Sequence, residues 1–408
     1  MTIGIDSAFD GGNILVRSID ADEVRLTIRR DRGSQFLQWF YFRVDGMREC
    51  GCRLVIENAA ETTYSRGWES YDVATSADRS RWYRTPSVYD GKTLSWTVRP
   101  GIEALWFAYF APYPLARHDD LVARSVVAPG VSLERLGSTL DGRPIDCLHV
   151  RDIDGEIGSG RGAEGHHDTG TGAGSGVREA AGGGRRQIWV IARQHPGEPM
   201  AEWWAEGWLE RLLDLDDATS RALRRLADVH VVPNMNPDGT FRGHLRTNAG
   251  GANLNREWAE PSLERSPEVF HVHRRMAETG VDLALDIHGD EALPYNFIAG
   301  TEGVPGWDDA RDAELVAFKR TLAALNPDFQ TEHGYPRAKP GSANPSYASN
   351  HVAATYGCLA MTLEMPFKDT ADTPRPTVGW SPERCKRLGR SFVDAVYLAL
   401  TDRLLPPA

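Results

Sequence analysis

The sequence has few cysteines, no long apolar run and no surplus of positive charge. Its 5 cysteines are scattered over 408 residues, a number and spacing that build neither a disulfide framework nor a paired CxxC zinc module. No stretch of about 18 apolar residues predicts a transmembrane helix, and the first residues lack the basic and apolar regions of a signal peptide. We therefore expect a cytoplasmic protein with no membrane partner.

The charge balance narrows the range of partners further. The 46 Lys and Arg residues stand against 57 Asp and Glu residues, and the resulting formal charge of −11 disfavours nucleic acid as a partner. The composition, 41% hydrophobic and 25% charged, is that of an ordinary globular protein, and the length predicts two or three domains. These features leave a homo-oligomer open.

Residues 1–115 carry a pattern of short strands. Segments rich in Val, Ile, Tyr, Phe and Trp alternate with turn sequences such as DGG, VDG and YDG, and no helical period runs through them. Several short strands at near-regular spacing predict an antiparallel β-sandwich domain in this part of the chain. We interpret its many aromatic residues as core residues.

From residue 116 to residue 408 strands and helices alternate. Apolar segments such as IWVIAR, LALDI and CLAMTLE alternate with helical segments such as AELVAFKRTLAAL. This alternation predicts an α/β domain with a mixed, largely parallel central sheet. A glycine-rich stretch at about 152–185, which includes His166 and His167, has no apolar strand before it and no apolar helix after it. We interpret it as a flexible surface insertion rather than a nucleotide-binding loop.

Four apolar strands of this second region end in polar clusters. They lead into the sequences QHPGE and NMNPDG, and into His288 and Glu364. Because ligands of open α/β sheets bind at the carboxyl ends of the strands, we expect these clusters to converge. His195 and Glu198, three residues apart, together with the distant His288 would supply the two imidazoles and one carboxylate of a catalytic zinc site.

The residues alone leave the choice between two such pairs open. His288 and Glu291, in the sequence HGDE, repeat the spacing of His195 and Glu198. The H-x-x-E pattern is also short enough to arise by chance in a chain with 12 histidines. Spacing alone is therefore a weak sign of metal binding, and it does not select the ligands.

Five motifs, in their order along the chain, resemble those of zinc metallocarboxypeptidases: HPGE, NMNPDG, RTNAGGANLNR, DIHGD and TLEMPF. The preceding strand-rich region makes the sequence most similar to the cytosolic carboxypeptidase branch, in its bacterial form. The resemblance implies one zinc ion per chain, held by His195, Glu198 and His288. It leaves Glu291 as a pocket or solvent residue.

The resemblance also implies roles in peptide hydrolysis. Glu364 is expected to take a proton from the attacking water and to deliver it to the leaving amine, and Arg246 to stabilise the oxyanion. Asn255 and Arg256 match the pair that binds the C-terminal carboxylate of the substrate. The implied function is a zinc-dependent carboxypeptidase acting on peptides or protein tails. The alternatives are a zinc-dependent deacylase of N-acyl amino acids and a non-catalytic binding protein on the same fold.

Two positions depart from the family pattern or leave it open. Asn253 stands where relatives commonly have an Asp that orients a zinc-ligating histidine, so weaker metal binding or water activation is expected. Many relatives also cover the substrate with a tyrosine, and no motif selects among Tyr335, Tyr347 and Tyr356.

Substrate preference depends on basic residues near the site. The resemblance implies that Arg337 and Lys339, in the loop before the Glu364 strand, could serve as basic residues of a specificity pocket that favours acidic C-terminal residues; an equally open alternative is that both are exposed loop charges. Arg242, close to Arg246 in sequence, is interpreted as a solvated or structural arginine.

Overall fold

The computed structural model describes residues 3–20, 22–48, 51–99, 101–152 and 184–404. Most of the predicted glycine-rich insertion, residues 153–183 with His166 and His167, lies outside these ranges, so its interpretation stays a prediction. The described cysteines are buried; they are Cys52, Cys147, Cys358 and Cys385.

Short strands rich in β-branched and aromatic residues form the N-terminal part of the chain. They are β1 Gly4–Asp6, β2 Leu15–Ile19, β3 Glu23–Thr27, β4 Tyr41–Asp45, β5 Cys52–Ile56, β6 Val73–Ser76, β7 Tyr83–Thr85, β8 Val88–Tyr89, β9 Leu94–Val98 and β10 Ala104–Ala108. They make two five-stranded sheets, in the orders β1-β4-β10-β6-β7 and β2-β3-β5-β9-β8. The prediction of antiparallel sheets is confirmed, with one exception: β3 and β5 pair in parallel.

The aromatic residues of this part form its core, as predicted. Phe40 is fully buried and has the Trp68, Trp96 and Tyr109 rings within 6.3 Å, centre to centre. Tyr109 in turn stacks on Phe367 of the C-terminal part, with ring centres 4.3 Å apart. The two parts of the chain therefore share an aromatic contact.

A seven-stranded sheet forms the centre of the C-terminal part. Its strands are β11 Val131–Ser138, β12 Pro144–Val150, β13 Arg186–Ala192, β14 Ala227–Val232, β15 Leu283–Asp290, β16 Phe297–Ala299 and β17 Leu359–Pro366, in the order β11-β12-β14-β13-β15-β17-β16. The central strands β14, β13, β15 and β17 run parallel, while β11, β12 and β16 pair antiparallel at the two edges. The predicted mixed sheet is confirmed.

Helices connect these strands and cover the sheet. They are α1 Leu115–Val126, α2 Met200–Leu212, α3 Ala218–Leu226, α4 Pro237–Arg242, α5 Pro267–Thr279, α6 Asp309–Leu325, α7 Ala348–Tyr356 and α8 Pro382–Leu400, with short 3₁₀ turns at Ala59–Glu61, Ser65–Trp68 and Leu254–Arg256. Several begin at side-chain caps, since Asp217, Asn236 and Asp308 accept backbone N–H bonds at the starts of α3, α4 and α6.

Helices α2 and α8 touch through their backbones. A Cβ atom added to Gly207 would lie 2.1 Å from the carbonyl oxygen of Lys386, and one added to Gly389 would lie 2.2 Å from that of Trp204. Glycine is therefore required at both positions, and the close approach buries Trp204 against Phe392. Helix α2 is consequently buried on almost every side rather than on one face.

The parallel strand order brings the predicted polar clusters to one edge of the sheet. His288 and Glu364 are direct neighbours in the register of β15 and β17. The boundary between the predicted domains 1–115 and 116–408 stays a prediction. No helix in the described ranges is long and apolar enough to cross a membrane; the cytoplasmic location stays a prediction.

Candidate metal centre and active site

The carboxyl ends of β13 and β15 bring His195, Glu198 and His288 together. Each side chain offers one ligand atom, and these atoms all lie within 4.8 Å of one another. The three residues are at most 3% exposed. Glu291 is not part of this group, so the geometry favours the first of the two H-x-x-E pairs that spacing left open.

Both imidazoles turn the same nitrogen towards Glu198. The Nδ1 atoms of His195 and His288 lie 2.7 Å and 2.8 Å from the Glu198 oxygens. Their outer Nε2 atoms are held by other residues: that of His195 lies 3.1 Å from Asn253 Oδ1, and that of His288 lies 2.9 Å from Asp286 Oδ1. Fixed rings with Nδ1 facing inwards, together with one carboxylate, are a donor set that fits zinc.

Asp286 is a buried carboxylate that the motifs did not single out. It lies two residues before His288 on β15, so both side chains point to the same face of the sheet. Its two oxygens also accept hydrogen bonds from Gln194 Nε2, at 2.9 Å and 2.8 Å. In this chain the charged outer partner, Asp286, lies opposite His288, and the neutral amide of Asn253 lies opposite His195. The D-x-H spacing on a strand was the signal that could have revealed it.

The electrostatics of the cluster suit a cation. Burial opposes ionisation of Glu198, yet the neighbouring His195 and His288 keep its pKa well below the usual range. Burial and the positive Arg246 lower the pKa of His195 to about 4, which favours the neutral imidazole that binds metals. Burial also acts to lower the pKa of His288, but Asp286 and Glu198 outweigh it and raise that pKa. The surplus negative charge around His288 is what a divalent ion would balance.

Glu364 lies beside this cluster with one oxygen unpaired. Its side chain is 8% exposed, and its Oε1 accepts a hydrogen bond of 3.3 Å from the Tyr335 hydroxyl. Its Oε2 is buried and has no hydrogen-bond partner among the described residues. Burial raises the pKa of this carboxyl well above its ordinary value. A buried carboxyl with an unpaired oxygen is suited to general acid–base work.

Arg246 places a cation next to the cluster. Its Nη1 lies 3.9 Å from Glu198 Oε1. The centre of its guanidinium lies 5.7 Å from the Phe36 ring and 5.6 Å from the Tyr64 ring, and both rings belong to the N-terminal part. Such a group can donate hydrogen bonds to an oxygen that gains negative charge.

Asn255 and Arg256 lie on a 3₁₀ turn at the edge of the site. Asn255 Oδ1 accepts a hydrogen bond of 2.8 Å from the Ala348 backbone N–H. The Arg256 guanidinium lies 3.8 Å from the centre of the Tyr347 ring, and its Nη1 donates to the Asn255 carbonyl at 2.6 Å. Arg256 is otherwise exposed, so its remaining N–H groups can bind a carboxylate.

One cavity of about 520 Å³ joins these groups. All predicted site residues line it: His195, Glu198, Arg246, Asn255, Arg256, His288 and Glu364. The wall built by β16 and α6 adds Lys319, whose pKa is lowered by burial, and Glu302. Sequence reasoning missed Lys319 because it lies within a helix with no motif around it.

The loop before β17 differs from its predicted role. Arg337 lies at the rim of the cavity and forms a salt bridge of 2.7 Å with Asp312. Lys339 is exposed, and it is not among the described residues that line the cavity. Arg242 makes a two-point ion pair with Asp141, at 2.9 Å and 2.7 Å, which agrees with its interpretation as a structural residue.

The three candidate tyrosines occupy different places. Tyr335 donates a hydrogen bond of 2.7 Å to Asp290 and also contacts Glu364, whereas Tyr347 packs on Arg256. Both line the cavity. Tyr356 packs against a separate apolar cluster beneath the sheet. The geometry therefore leaves the first two as tyrosines able to contact a substrate.

Two family models match the chain. Residues 5–110 match the cytosolic carboxypeptidase N-terminal domain, and residues 128–376 match the zinc carboxypeptidase model. An uncharacterised protein of Zymomonas mobilis is 47% identical over 404 residues, which cover 99% of this chain and 98% of that protein. Cytosolic carboxypeptidase 6 of Caenorhabditis elegans is 23% identical over 388 residues, which cover 89% of this chain and 78% of that protein.

Two solved structures resemble the whole chain. The metallo-carboxypeptidase of Burkholderia cenocepacia has 40% identity and a TM-score of 0.88, with 98% of this chain and 100% of that one covered. The metallo-carboxypeptidase of Pseudomonas aeruginosa, solved in complex with (2-guanidinoethylmercapto)succinic acid, has 44% identity, a TM-score of 0.87 and the same coverage.

Proposed function

The chain belongs to the zinc carboxypeptidase family, with the N-terminal domain of its cytosolic branch, and we propose that it removes C-terminal residues from peptides or protein tails. The observation that carries this proposal is the content of one cavity. This cavity joins the His-Glu-His cluster, the buried carboxyl of Glu364 and the guanidinium of Arg256, whose remaining N–H groups can bind a terminal carboxylate. Hydrolytic and carboxylate-binding groups in one cavity are what an exopeptidase needs.

In this proposal His195, Glu198 and His288 hold one zinc ion per chain. Their inward-facing Nδ1 and carboxylate atoms, held from behind by Asn253 and Asp286, support the assignment. When bound, zinc supplies a Lewis acid that polarises the scissile carbonyl and lowers the pKa of water.

Glu364 carries the proton in the proposed reaction. Its unpaired Oε2 takes a proton from the attacking water and later delivers it to the nitrogen of the leaving amine. The Tyr335 hydroxyl contacts the other oxygen and holds the carboxyl in place. The cleaved C–N bond releases a free amino acid and a shortened chain with a new carboxylate.

Two arginines bind two oxygen-bearing groups of the substrate, the scissile carbonyl and the terminal carboxylate. Arg246 donates to the carbonyl oxygen as its negative charge grows, because the guanidinium is already fixed beside the cluster. Arg256, oriented by Tyr347 and the Asn255 carbonyl, binds the terminal carboxylate, and the Asn255 side chain assists it. This pairing sets the scissile bond one residue from the C-terminus.

We further propose a preference for acidic C-terminal residues, with Lys319, rather than Arg337 or Lys339, as the basic residue that binds the acidic side chain. Within the described part of the chain, the Lys319 ammonium makes no ion pair or hydrogen bond of 4 Å or less. Glu302 lines the same wall of the cavity, and its negative charge lowers the net positive charge there.

The test is a substrate panel with wild type and Glu364→Gln. We expect cleavage of peptides with a free C-terminus, no cleavage of the same peptides amidated, and little action on N-acetyl- or N-succinyl-amino acids. Glu364→Gln should keep about one zinc per chain and lose roughly 10²- to 10⁴-fold in kcat. Glu278→Gln, an exposed Glu of α5, serves as the matched control and should behave as wild type.

Two results would contradict the proposal. Faster hydrolysis of N-acyl amino acids than of peptides would identify a deacylase. Full turnover by Glu364→Gln would remove the proton-carrier role.

A further inference from the structure

Asp31 is a residue of the N-terminal part that holds the backbone around Arg246. It follows β3 and is 2% exposed. Its carboxylate accepts hydrogen bonds from the backbone N–H groups of Leu245 at 2.6 Å, Arg246 at 2.8 Å and Thr247 at 3.0 Å. The Thr247 hydroxyl donates a fourth bond, at 3.1 Å.

This arrangement answers a local structural need. Residues 245–247 lie between α4 and the 3₁₀ turn at 254–256, outside any helix or strand that could pair their N–H groups. Buried N–H groups without acceptors destabilise the folded state, because they give up hydrogen bonds to water without replacement. One carboxylate satisfies three consecutive donors, and its own burial is offset by four hydrogen bonds. The direction of this segment is thereby tied to Asp31.

The segments flanking Asp31 and Arg246 also fit closely. His244 Nε2 accepts the Arg32 backbone N–H at 3.1 Å, while its Nδ1 lies 3.0 Å from the Thr247 carbonyl oxygen. A Cβ atom added to Gly251 would lie 2.6 Å from the carbonyl oxygen of Gly33. The two backbones can approach this closely only because Gly251 has no side chain, and the close approach leaves little freedom between the two segments.

The side chain of Arg246 is held from the same direction. The Phe36 and Tyr64 rings lie 5.7 Å and 5.6 Å from its guanidinium carbon. Aromatic faces at this distance attract a cation and limit the rotamers that it can adopt. The N-terminal part therefore contacts Arg246 at both ends, through Asp31 at the backbone and through two rings at the guanidinium.

We propose that the N-terminal domain takes part in catalysis by positioning Arg246, with Asp31 as the positioning residue. Asp31 is not among the described residues that line the cavity, so it acts through the arginine rather than on substrate. The inference rests on the proposed function, because it requires Arg246 to act on the scissile carbonyl. Among the described residues Asp31 makes no hydrogen bond to a predicted zinc ligand, but the segment that it holds contacts the ligand loop: the Leu245 carbonyl accepts the Gly197 N–H at 2.8 Å, and Arg246 Nη1 lies 3.9 Å from Glu198. Zinc content is therefore measured for every variant.

A double-mutant cycle with Asp31→Asn and Arg246→Ala tests the proposal. Asp31→Asn should lower kcat about 10-fold or more, with KM within twofold and zinc content unchanged. In the Arg246→Ala background the same change should cost less than twofold. Calorimetry with a phosphonate peptide analogue, whose tetrahedral oxygens mimic the oxyanion, should show the same pattern in binding. Asp31→Asn should weaken binding of the analogue when Arg246 is present and should change it little in the Arg246→Ala background.

Two further variants separate positioning from folding. Asp10→Asn removes another carboxylate that accepts a backbone N–H, that of Leu115 at the start of α1 at 2.6 Å, and it should leave kcat unchanged even if the melting temperature falls. If Asp31→Asn does not fold, Phe36→Leu removes a ring from the guanidinium without touching the backbone bonds. It should again lower kcat only when Arg246 is present.

The proposal is overturned if Asp31→Asn or Phe36→Leu costs the same factor with and without Arg246, or costs nothing. Wild-type turnover by Arg246→Ala would overturn it as well. If wild type hydrolyses N-acyl amino acids and not peptides, the proposed function fails on its own. The double-mutant cycle is then measured on N-acyl amino acids, because hydrolysis of their amide bond also forms a tetrahedral oxyanion.

Discussion

The carboxylate of Asp286 lies 2.9 Å from Nε2 of His288, two residues further along β15. On the other imidazole the corresponding contact is an amide, from Asn253 Oδ1 to His195 Nε2 at 3.1 Å. The two histidines of the cluster therefore have unlike outer partners, one charged and one neutral. A carboxylate behind a ligating imidazole fixes the ring and raises its basicity, so the charged contact is expected to contribute more to metal binding.

Asp286→Asn should weaken zinc binding by about 10- to 100-fold, because the amide keeps the shape and removes the charge. Competition with a chromophoric chelator measures the change. Asn253→Asp should strengthen binding, since it places a second carboxylate behind His195. Asp282→Asn, at the residue immediately before the same strand, is the control. Unchanged affinity in Asp286→Asn would show that the charge is not used.

Lys319→Met should reduce kcat/KM for peptides ending in Glu by about tenfold relative to those ending in Leu, the amount expected for loss of one ion pair in a partly buried site. The measurement is release of the terminal amino acid from matched peptides. Lys339→Met, at an exposed position, should change neither value. Equal turnover by wild type of peptides ending in Glu, Leu and Lys would contradict the acidic preference.

His118 should make stability depend on pH. It lies on α1, with Nδ1 2.6 Å from Glu202 and Nε2 3.7 Å from Asp146. Burial alone would lower its pKa, but these two carboxylates outweigh it and raise the pKa from 6.5 to about 9. Because the folded-state pKa is the higher one, the contribution is complete below about pH 6.5 and is lost as pH rises through about 9.

Urea unfolding at several pH values measures this effect. The free energy of unfolding should fall by on the order of 3 kcal/mol between those limits in wild type. His118→Gln should remove most of that decline. The same slope in both proteins would show that other groups cause it.

Gly207→Ala should destabilise the fold by about 3 kcal/mol, since the added methyl would lie 2.1 Å from the Lys386 carbonyl and force α2 away from α8. Thermal unfolding measures the loss. Gly184→Ala is the control, because a Cβ atom there meets no heavy atom within 4 Å, and it should be neutral. A small effect at Gly207 would mean that the helices separate easily.

Most strands could be predicted because their signals are local. Alternating apolar segments identify β13, β15 and β17, and their order implies parallel neighbours. The parallel pairing of β3 with β5 could not be predicted, because it depends on which strands meet after the chain has folded. The burial of α2 on almost every side could not be predicted for a related reason: its second partner, α8, lies at the far end of the chain.

Residues suited to select the substrate side chain were harder to predict than the candidate metal cluster. Arg337 and Lys339 were selected for charge and for proximity to Glu364 in sequence, and the structure places one in a salt bridge at the rim and the other in solvent. Lys319 lines the cavity because α6 packs beside β16, and that packing has no local signature.

The sequence by itself determined which residues can carry the chemistry, because the ligand spacing in HPGE and the residues at strand ends are short-range properties of the chain. The tertiary structure decided what holds those residues in place. Asp286 faces His288 through the two-residue period of one strand, whereas Asp31 reaches Arg246 across 215 positions of sequence. Hydrogen-bond partners that far apart depend on the path of the whole chain, and local spacing contains no record of that path.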